Sequence, residues 1–461
     1  MTLTEIFKKI ETEEIPFVDL KVVDLFGVWK HVTIPAKNLT DRLFNEGIGF
    51  DASNFGFAMV EKSDMVMIPD PNTAFLDPFG EYPTLSLTCN VFHPQTGKRF
   101  EQDPRGILIR TIDHISREGI ADQILFGPEY EFHVLNDVRY KIAPNRITLK
   151  IDSEEGFWNS GKTGEYFVGR KRGYHRSAPF DHFFALRNHI VDQLEQLGVA
   201  VKYHHHEVGT AQLEIETNFM DALRAADATL LVKYVVRNIA HEFGYVVTFL
   251  PKPIHDEAGN GMHVHQFLKK GDNNLFAGEK VYNLSEMALS YTAGILGHSP
   301  ALLAFTNPTT NSYRRLVPGF EAPTNAVFAI GNRTSAIRIP GYVKDDAKRR
   351  VEFRTIDASC NPYLAFSAML LAGVDGILQK WDPSEMGFGP FEGDLGMSEA
   401  HPLPKTLEEA MNALERDNAF LKRWEIFPDS LLAKWVSKKR EEYRLVSSIP
   451  HPVEYQLYFD L

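Results

Sequence analysis

The sequence predicts an α+β protein with a smaller amino-terminal part and a larger carboxy-terminal one. Three observations predict it. Residues 15–34 (IPFVDLKVVDLFGVWKHVTI) and 84–92 (TLSLTCNVF) alternate in the manner of short strands. Asp103 followed by Pro104 reads as an N-cap and first helical position, opening a helix through about Glu118-Gly119. Beyond that helix, strand-like and helix-like segments mix. The boundary falls there, giving domains of residues 1–103 and 104–461.

The elements follow in order. Turn-rich segments, Asp70-Pro71-Asn72 and Pro78-Phe79-Gly80, lie between the two early strand regions. Residues 152–177 are rich in Gly, Ser and Arg and read as a long loop, a place where function often sits. DALRAADATLLVKYVVRNIAHEF, residues 221–243, has helical periodicity and ends at Gly244, a natural C-terminal cap. Two more helices are expected at about 406–424 and 429–446. No internal repeat or low-complexity tract is present.

Composition narrows the class. The chain has 461 residues, 44% hydrophobic and 24% charged, the ordinary range for a globular protein. Sixty-one acidic against 49 basic side chains leave a charge of −12, which argues against a sequence-independent nucleic-acid binder. No window approaches the ~18 uninterrupted apolar residues of a membrane span. The start, MTLTEIFKKIETEE, lacks a basic segment followed by an apolar run. Cys89 and Cys360 build neither a disulfide framework nor a thiolate metal site. A reducing cytoplasm is the expected location.

Residues 156–163, GFWNSGKT, fit the Walker A pattern letter for letter. That pattern holds phosphates only where a strand precedes it and a helix follows, because helix N-terminal amides make the contacts. Here GEYFVGRKRGYHR follows, with Gly164, Gly169 and Gly173 interrupting any helix. The match is read as chance.

Carboxylates on strands carry the stronger signal. In FGPEYEFHV, period-two alternation puts Glu129, Glu131 and His133 on one face and Tyr130 and Phe132 on the other. Same-face carboxylates repel, so their pairing needs a cation to offset the cost; taken alone, a solvent-exposed strand face with Tyr130 and Phe132 buried is the better reading of this segment. HHHEVGTAQLEIE adds His204, His205, His206, Glu207, Glu214 and Glu216. One flat strand would send Glu207 and Glu214 to opposite faces, but Gly209 permits a bulge or break that reunites them. GNGMHVHQF places His263 and His265 on a common face, and RRVEFR alternates Arg350, Glu352 and Arg354 against Val351 and Phe353. Oxygen-rich ligand sets suit Mg²⁺ or Mn²⁺, and interleaved arginines suit phosphate. Together these segments point to metal-assisted phosphoryl transfer. Residues 307–340 are denser still, with Arg314, Arg315, Glu321, Arg333 and Arg338 set among prolines and apolar residues, as in a walled anion site.

These segments resemble type I glutamine synthetase. GPEYEF, HHEVGTAQLEIE, GNGMHVHQ, NPTTNSYRRLVPGFEAP, NRTSAIRIP, RRVEFRTIDASCNPYL and the terminal HPVEYQLYFDL occur in that family's order, and FDASNFGF…SDMVMIPD resembles its amino-terminal counterpart. The resemblance implies a small amino-terminal β-grasp domain and a large catalytic α/β domain with a curved, mainly antiparallel sheet. It implies ATP-dependent ligation of ammonium-derived ammonia to glutamate through γ-glutamyl phosphate, two or more Mg²⁺ or Mn²⁺ ions, and a dodecamer of two hexameric rings with sites between subunits. By motif position, Glu131, Glu207 and Glu214 would hold one metal, and Glu129, His263 and Glu352 the second. Arg315 and Arg354 match the arginines that grip glutamate; Gly259 offers it a backbone contact. Arg333 and Arg338 match those acting on the transferring phosphoryl group, and Arg350 a nucleotide-side arginine. Glu321 matches the flap glutamate that closes the site and takes a proton from the attacking nitrogen. Asp51, in FDAS, matches a residue that a neighbouring subunit supplies to bind ammonium. The terminal HPVEYQLYFDL resembles the segment that reaches into the opposite ring.

The sequence also departs from the family pattern. Ala258 stands where an asparagine that orients glutamate is usual; Asn260, two positions on, is the candidate to compensate. Phe267 replaces a serine near the nucleotide, so adenine is expected to be held by stacking. Asn54 replaces the serine after FDAS. MGFGPFEGDLGMS has no tyrosine, so control by adenylylation is not expected. Asp51 favours ammonium; Ala258 and Asn54 leave room for a sibling γ-glutamyl ligase acting on methylamine or a polyamine. A third reading, a catalytically inactive homologue, sits poorly with a full set of six metal ligands. Met59 stands where one branch carries a glutamine-sensing arginine, so weak feedback through that route is expected. Assay of the purified enzyme with rising glutamine checks this; inhibition like that branch's would contradict it.

Overall fold

A computed structural model describes residues 1–56, 63–161, 165–393 and 400–459. Met59, Lys162, Thr163, residues 394–398 of the MGFGPFEGDLGMS stretch, and the terminal Asp460-Leu461 lie outside the described residues.

The amino-terminal part is a mixed sheet. Strand Phe17–Val23 pairs antiparallel with Trp29–Pro35 on one side and parallel with Thr84–Phe92 on the other. Asp64–Pro69 and Ile48–Asp51 continue the sheet outward. Asp24 makes the first turn tight: its carboxylate accepts from the amides of Phe26 and Val28, both at 2.9 Å. Helix Leu3–Thr12, closed by a capping box between Thr2 and Glu5, buries Ile6. This is the expected β-grasp arrangement, a sheet with a central parallel pair and, among the described residues, the helix Leu3–Thr12 and the single turn Leu43–Glu46.

The next helix, Pro104–Arg117, starts where the Asp-Pro pair predicts it. Asp103 does not cap it, however. Its side chain is buried and accepts from the Val91 amide at 3.2 Å, tying the helix to the sheet before it. Arg105, the second residue of the helix, is also buried. It meets Asp227 through two bonds of 3.0 Å, Asp70 at 2.9 Å and Asn90 at 2.9 Å. One guanidinium thus joins three segments distant in sequence.

Among the described residues the second sheet has ten strands in mixed but mainly antiparallel order. Gln123–Leu135 is its longest strand and takes partners on both sides, Gln212–Thr217 and Val264–Lys270. Val201–His206 extends one edge; Val351–Phe353, Ile337–Ile339 and Phe328–Ile330 extend the other. One face of this sheet is apolar and packs on helices. Tyr130, Phe132, Leu213, Ile215 and Val264 are fully buried, and the Tyr130 hydroxyl reaches Thr229 of helix Ala222–Glu242 at 3.0 Å. That helix ends at Gly244 with φ +80, as its sequence predicts.

Helices Glu286–Thr306 and Pro362–Gln379 have no polar face and lie in the core. Pro362–Gln379 is long and apolar enough to cross a membrane, but 78% of it is buried inside the protein. The two helices meet at glycines. A Cβ on Gly294 would stand 2.1 Å from the Ala372 carbonyl oxygen, and one on Gly376 2.1 Å from that of Ser290. The helix expected at 406–424 is broken into Leu407–Arg416 and Ala419–Lys422; the one expected at 429–446 is Asp429–Ser447. The terminal helix Pro452–Tyr458 buries none of its residues.

Breaking a buried ion pair by removing one partner typically costs about 3–5 kcal/mol. Arg105→Met is therefore expected to lower the urea midpoint or melting temperature strongly, by far more than Arg42→Met at an exposed pair. Equal, small effects of the two changes would show that the Arg105 junction does not hold the parts together.

Candidate active site

The site is the polar face of the ten-stranded sheet, and strand register builds it. Glu131 stands opposite Glu214, and Glu129 opposite Glu216, across the pair formed by Gln123–Leu135 and Gln212–Thr217. Glu214 in turn faces His205 on Val201–His206. On the other side, the Glu129 amide donates to the His263 carbonyl at 2.9 Å, and His265 faces Glu352, which faces Arg338. Period-two alternation sends every one of these side chains away from the apolar core. Glu207 joins them because the chain turns there. Val201–His206 and Gln212–Thr217 are two strands of a hairpin, closed by the Glu207 amide donating to the Gln212 carbonyl at 2.7 Å, with Ala211 at φ +60.

The result is a cavity lined by Glu129, Glu131, Glu207, Glu214, His263 and Glu352, with Arg315, Arg333, Arg338 and Arg354 in its walls. Among the described residues three groups of ligand atoms are close enough to share a cation; one, Glu129, Glu216 and His265, lies beside the cavity, and the other two line it. Glu129, His263 and Glu352 form one, as the resemblance implies; His205, Glu207 and Glu214 form the other. Glu131 lines the same cavity, but its Oε2 accepts from the Gly261 amide at 2.6 Å, and His205 stands in the second group instead.

The two groups differ in charge balance. Burial alone would raise the Glu129 carboxyl, yet His265 at 2.8 Å and His263 at 3.0 Å hold it well below the usual range. Glu352 is likewise buried but is drawn down to about 2 by Arg354, His265 and Arg338; the two arginines each donate to it at 2.5 Å. Glu207 and Glu214 go the other way. Burial pushes both carboxyls well up, and neighbouring carboxylates (Glu214 and Glu131 for the first, Glu129 and Glu131 for the second) push them further. Buried anions without a counter-charge are what a divalent cation offsets, and carboxylate–imidazole sets at these positions fit Mg²⁺ or Mn²⁺.

The arginines are held by the protein itself. Arg315 is buried and donates to the carbonyls of Thr355 at 2.7 Å and Arg354 at 3.0 Å, with His263 Nε2 at 3.3 Å. Gly259 and Gly261 lie against it, and a Cβ on Gly261 would stand 2.5 Å from an Arg315 nitrogen. Arg354 also donates to the Arg333 carbonyl at 3.1 Å. Arg333 is half exposed, 3.2 Å from the Tyr174 hydroxyl and 3.8 Å from Glu321. Glu321 sits at φ +53 in the segment that follows Gly319, and its side chain is largely exposed at the cavity mouth. Left-handed backbone at a non-glycine residue costs about 1–2 kcal/mol. Beside it, Lys171 and Lys252 lie 4.2 and 3.6 Å from the Phe320 ring centroid and pin that segment from below.

Other expected residues lie elsewhere. Arg350 lines a separate cleft on the far side of His265, with its guanidinium 5.4 Å over Phe219 and 3.0 Å from the Tyr342 hydroxyl. Phe267 does not line that cleft: it is buried behind Phe219, ring centroids 4.9 Å apart, so the exposed stacking surface belongs to Phe219. Asn260 does not substitute for an asparagine at 258. Its side chain is buried, bonded to His133 at 2.9 Å, Gln212 at 3.2 Å and the Leu250 carbonyl at 2.8 Å, while Ala258 faces the cavity. Asp51 is exposed at the edge of the amino-terminal sheet, where Ser53 amide and hydroxyl hold its carboxyl below the usual range. It does not line this chain's cavity. The Walker-like stretch begins as a short turn, Phe157–Asn159, whose Trp158 and Asn159 both donate to Asp152.

Sequence reasoning left several wall residues without a role: Lys171, Tyr174, Tyr203, His205, Gln212 and Phe320. Only His205 carried a signal, its place in the His-His-His-Glu run. The others sit in loops or depend on register.

Raised carboxyls bind protons in the folded chain that carboxylates near 4.5 have released in the unfolded one. Stability of the cation-free protein is therefore expected to fall as pH rises above that value, while the lowered groups, Glu129 and Glu352, act below it. Glu207→Gln should flatten the slope of melting temperature against pH in EDTA and shrink the upward shift on adding Mg²⁺ or Mn²⁺. An unchanged slope together with an undiminished metal shift would refute the charge imbalance.

Comparison with known proteins agrees with this geometry. Residues 101–458 match the family model described as glutamine synthetase, catalytic domain, and residues 14–94 the one described as glutamine synthetase, beta-Grasp domain. The glutamine synthetase of Nostoc sp. is 42% identical over 476 residues, covering 100% of both chains. The 3-hydroxylaminophenol mutase of Cupriavidus pinatubonensis is 42% identical over 470 residues, covering 100% of this chain and 99% of its own. A cryo-EM structure of Plasmodium falciparum glutamine synthetase superposes with a TM-score of 0.90 at 28% identity, covering 99% of each chain.

Proposed function

The chain belongs to the glutamine synthetase family, and from that premise we propose that it ligates ammonia to the γ-carboxylate of glutamate, driven by ATP, through γ-glutamyl phosphate. It carries the family's catalytic domain and is an enzyme of that family, a ligase of nitrogen metabolism. The observation that carries the substrate reading is the single cavity in which two carboxylate–imidazole groups face four arginines.

Glu131, Glu207 and Glu214 would hold one Mg²⁺ or Mn²⁺ and Glu129, His263 and Glu352 a second, ions that neutralise phosphate charge when bound. The chain's own groups do the rest. Arg315 and Arg354 are fixed by backbone carbonyls and carboxylate, so they present rigid guanidinium edges to the glutamate carboxylates. Arg333 and Arg338 place fixed positive charge where the transferring phosphoryl group gains negative charge. Arg350, with Phe219 and Tyr342, suits the nucleotide cleft. Glu321 accepts a proton from the attacking nitrogen, and its segment screens the acyl phosphate from water. The Gly259 carbonyl already accepts from Gln212 at 3.0 Å, which fixes the loop that carries it.

Asp51 of a neighbouring subunit would supply the ammonium site. Its position outside this chain's cavity supports an assembly with sites between subunits, a dodecamer of two hexameric rings. The exposed Tyr455, Leu457, Tyr458 and Phe459 of the terminal segment support the ring-to-ring contact, since such an apolar strip is poorly placed in water. Residues 1–103 and 104–461 are taken as the two domains, and the cytoplasm as the location.

A second reading, ligation of another amine, is favoured by one observation. Among the described residues no asparagine side chain replaces Ala258 in the cavity. Phosphate release should require glutamate, ATP, Mg²⁺ and ammonium together, with ammonium preferred over methylamine and polyamines. Turnover favouring a bulky amine selects the second reading, and release independent of glutamate contradicts both. Glu321→Gln should cut turnover by roughly 10²–10⁴-fold, the range for a lost general base.

A further inference from the structure

A second cavity lies at the junction of the two parts of the molecule. Its walls come from the segment Phe26–Trp29, from helix Ala222–Glu242, from residues 247–250 and from Ala358–Cys360. It shares no lining residue with the catalytic cavity. Lys233, on the helix, is 7% exposed and lines this cavity, yet its ammonium makes no hydrogen bond and no ion pair with any described residue. A buried ammonium normally has a carboxylate or carbonyls around it, because desolvation is otherwise uncompensated.

The surroundings make the imbalance larger. Arg237, one turn along the helix, stands at the rim with its guanidinium 5.5 Å over the Phe249 ring and likewise without an anionic partner. Trp29, also in the wall, has a buried indole N–H with no hydrogen-bond partner. Among the described residues no Asp or Glu lines the cavity. The nearest acid that acts on Lys233 is Asp357, whose oxygens already accept from Ser359 and Asn307. Burial accordingly pushes the Lys233 ammonium down to about 8. Two cationic donors, Lys233 and Arg237, line a space whose remaining walls are chiefly apolar and aromatic: Phe26, Val28, Trp29, Leu230, Phe249 and Leu250.

We propose that this junction cavity binds a small organic carboxylate with an apolar body, its oxygens on Lys233 and Arg237 and its body against Trp29 and Phe249. A carboxylate satisfies the donors, and the apolar walls select against bare, strongly hydrated anions. The site is independent of the ligase reading, since none of its residues belongs to the catalytic cavity.

Benzoate is the probe, with benzamide as its uncharged match, titrated calorimetrically into the full-length protein. Saturating glutamate is present to cover the catalytic arginines. Benzoate should bind at least roughly tenfold more tightly than benzamide, the factor one charge-assisted hydrogen bond supplies. Lys233→Met should remove that preference and leave ligase turnover unchanged, whereas Lys233→Arg should keep it. Crystals of the unaltered protein soaked in 4-iodobenzoate should show the iodine signal in the junction cavity, which does not depend on any variant folding. Equal affinity for benzoate and benzamide, full benzoate binding by Lys233→Met, or iodine found only at the catalytic arginines would each overturn the proposal.

Discussion

Like charges on directly opposed strand positions are what the rest of this molecule is arranged around. Glu131 faces Glu214 and Glu129 faces Glu216 on adjacent strands, all within the protein, a pairing that destabilises a sheet unless positive charge is supplied. On one side the chain supplies it: His263 and His265 for Glu129, Arg338 and Arg354 for Glu352, Lys202 at 2.6 Å for Glu216. On the other, around Glu207 and Glu214, His205 is the one basic side chain within 4 Å among the described residues. The apolar face of the same strands fixes the register, so the carboxylates cannot relax by sliding: a one-residue slip would drive Tyr130, Phe132, Leu213 and Ile215 into the cavity. Core packing holds the unfavourable electrostatics in place.

The arginines show the same economy of parts. Arg315, Arg338 and Arg354 are tied to main-chain carbonyls or to Glu352 rather than extended into open space. Their planes are set before any substrate arrives, which limits the entropy lost on binding. The contrast is Arg333, half exposed, whose guanidinium meets Tyr174 and Glu321, both on irregular segments.

The sequence made legible whatever depends on period and local capping. The strand alternation around Glu129–Glu131 and Glu352 was readable because each strand has one polar and one apolar face, and helix 222–242 because Gly244 closes it. The core helices Glu286–Thr306 and Pro362–Gln379 were not, because helices apolar all round have no periodic contrast to detect. Gly209 correctly marked a break between Glu207 and Glu214, but a hairpin and a bulge leave the same trace in one dimension. Phe267 and Phe219 could not be told apart without register, since both are phenylalanines near His265 and only packing decides which one covers the other. Tyr174 and Phe320 belong to segments without regular structure, where side-chain direction is set by contacts far away in sequence.

The glycine crossing of the two core helices has a mechanical side. With Gly294 and Gly376 pressed against each other's main chain, no side chains intervene to act as bearings, and neither helix slides or rolls without driving backbone into backbone. The slab behind the sheet is therefore stiff. Whatever opening and shutting the cavity undergoes is delegated to its rim, above all to the short run from Gly319 to Glu321, whose twisted backbone already sits away from the most relaxed conformations.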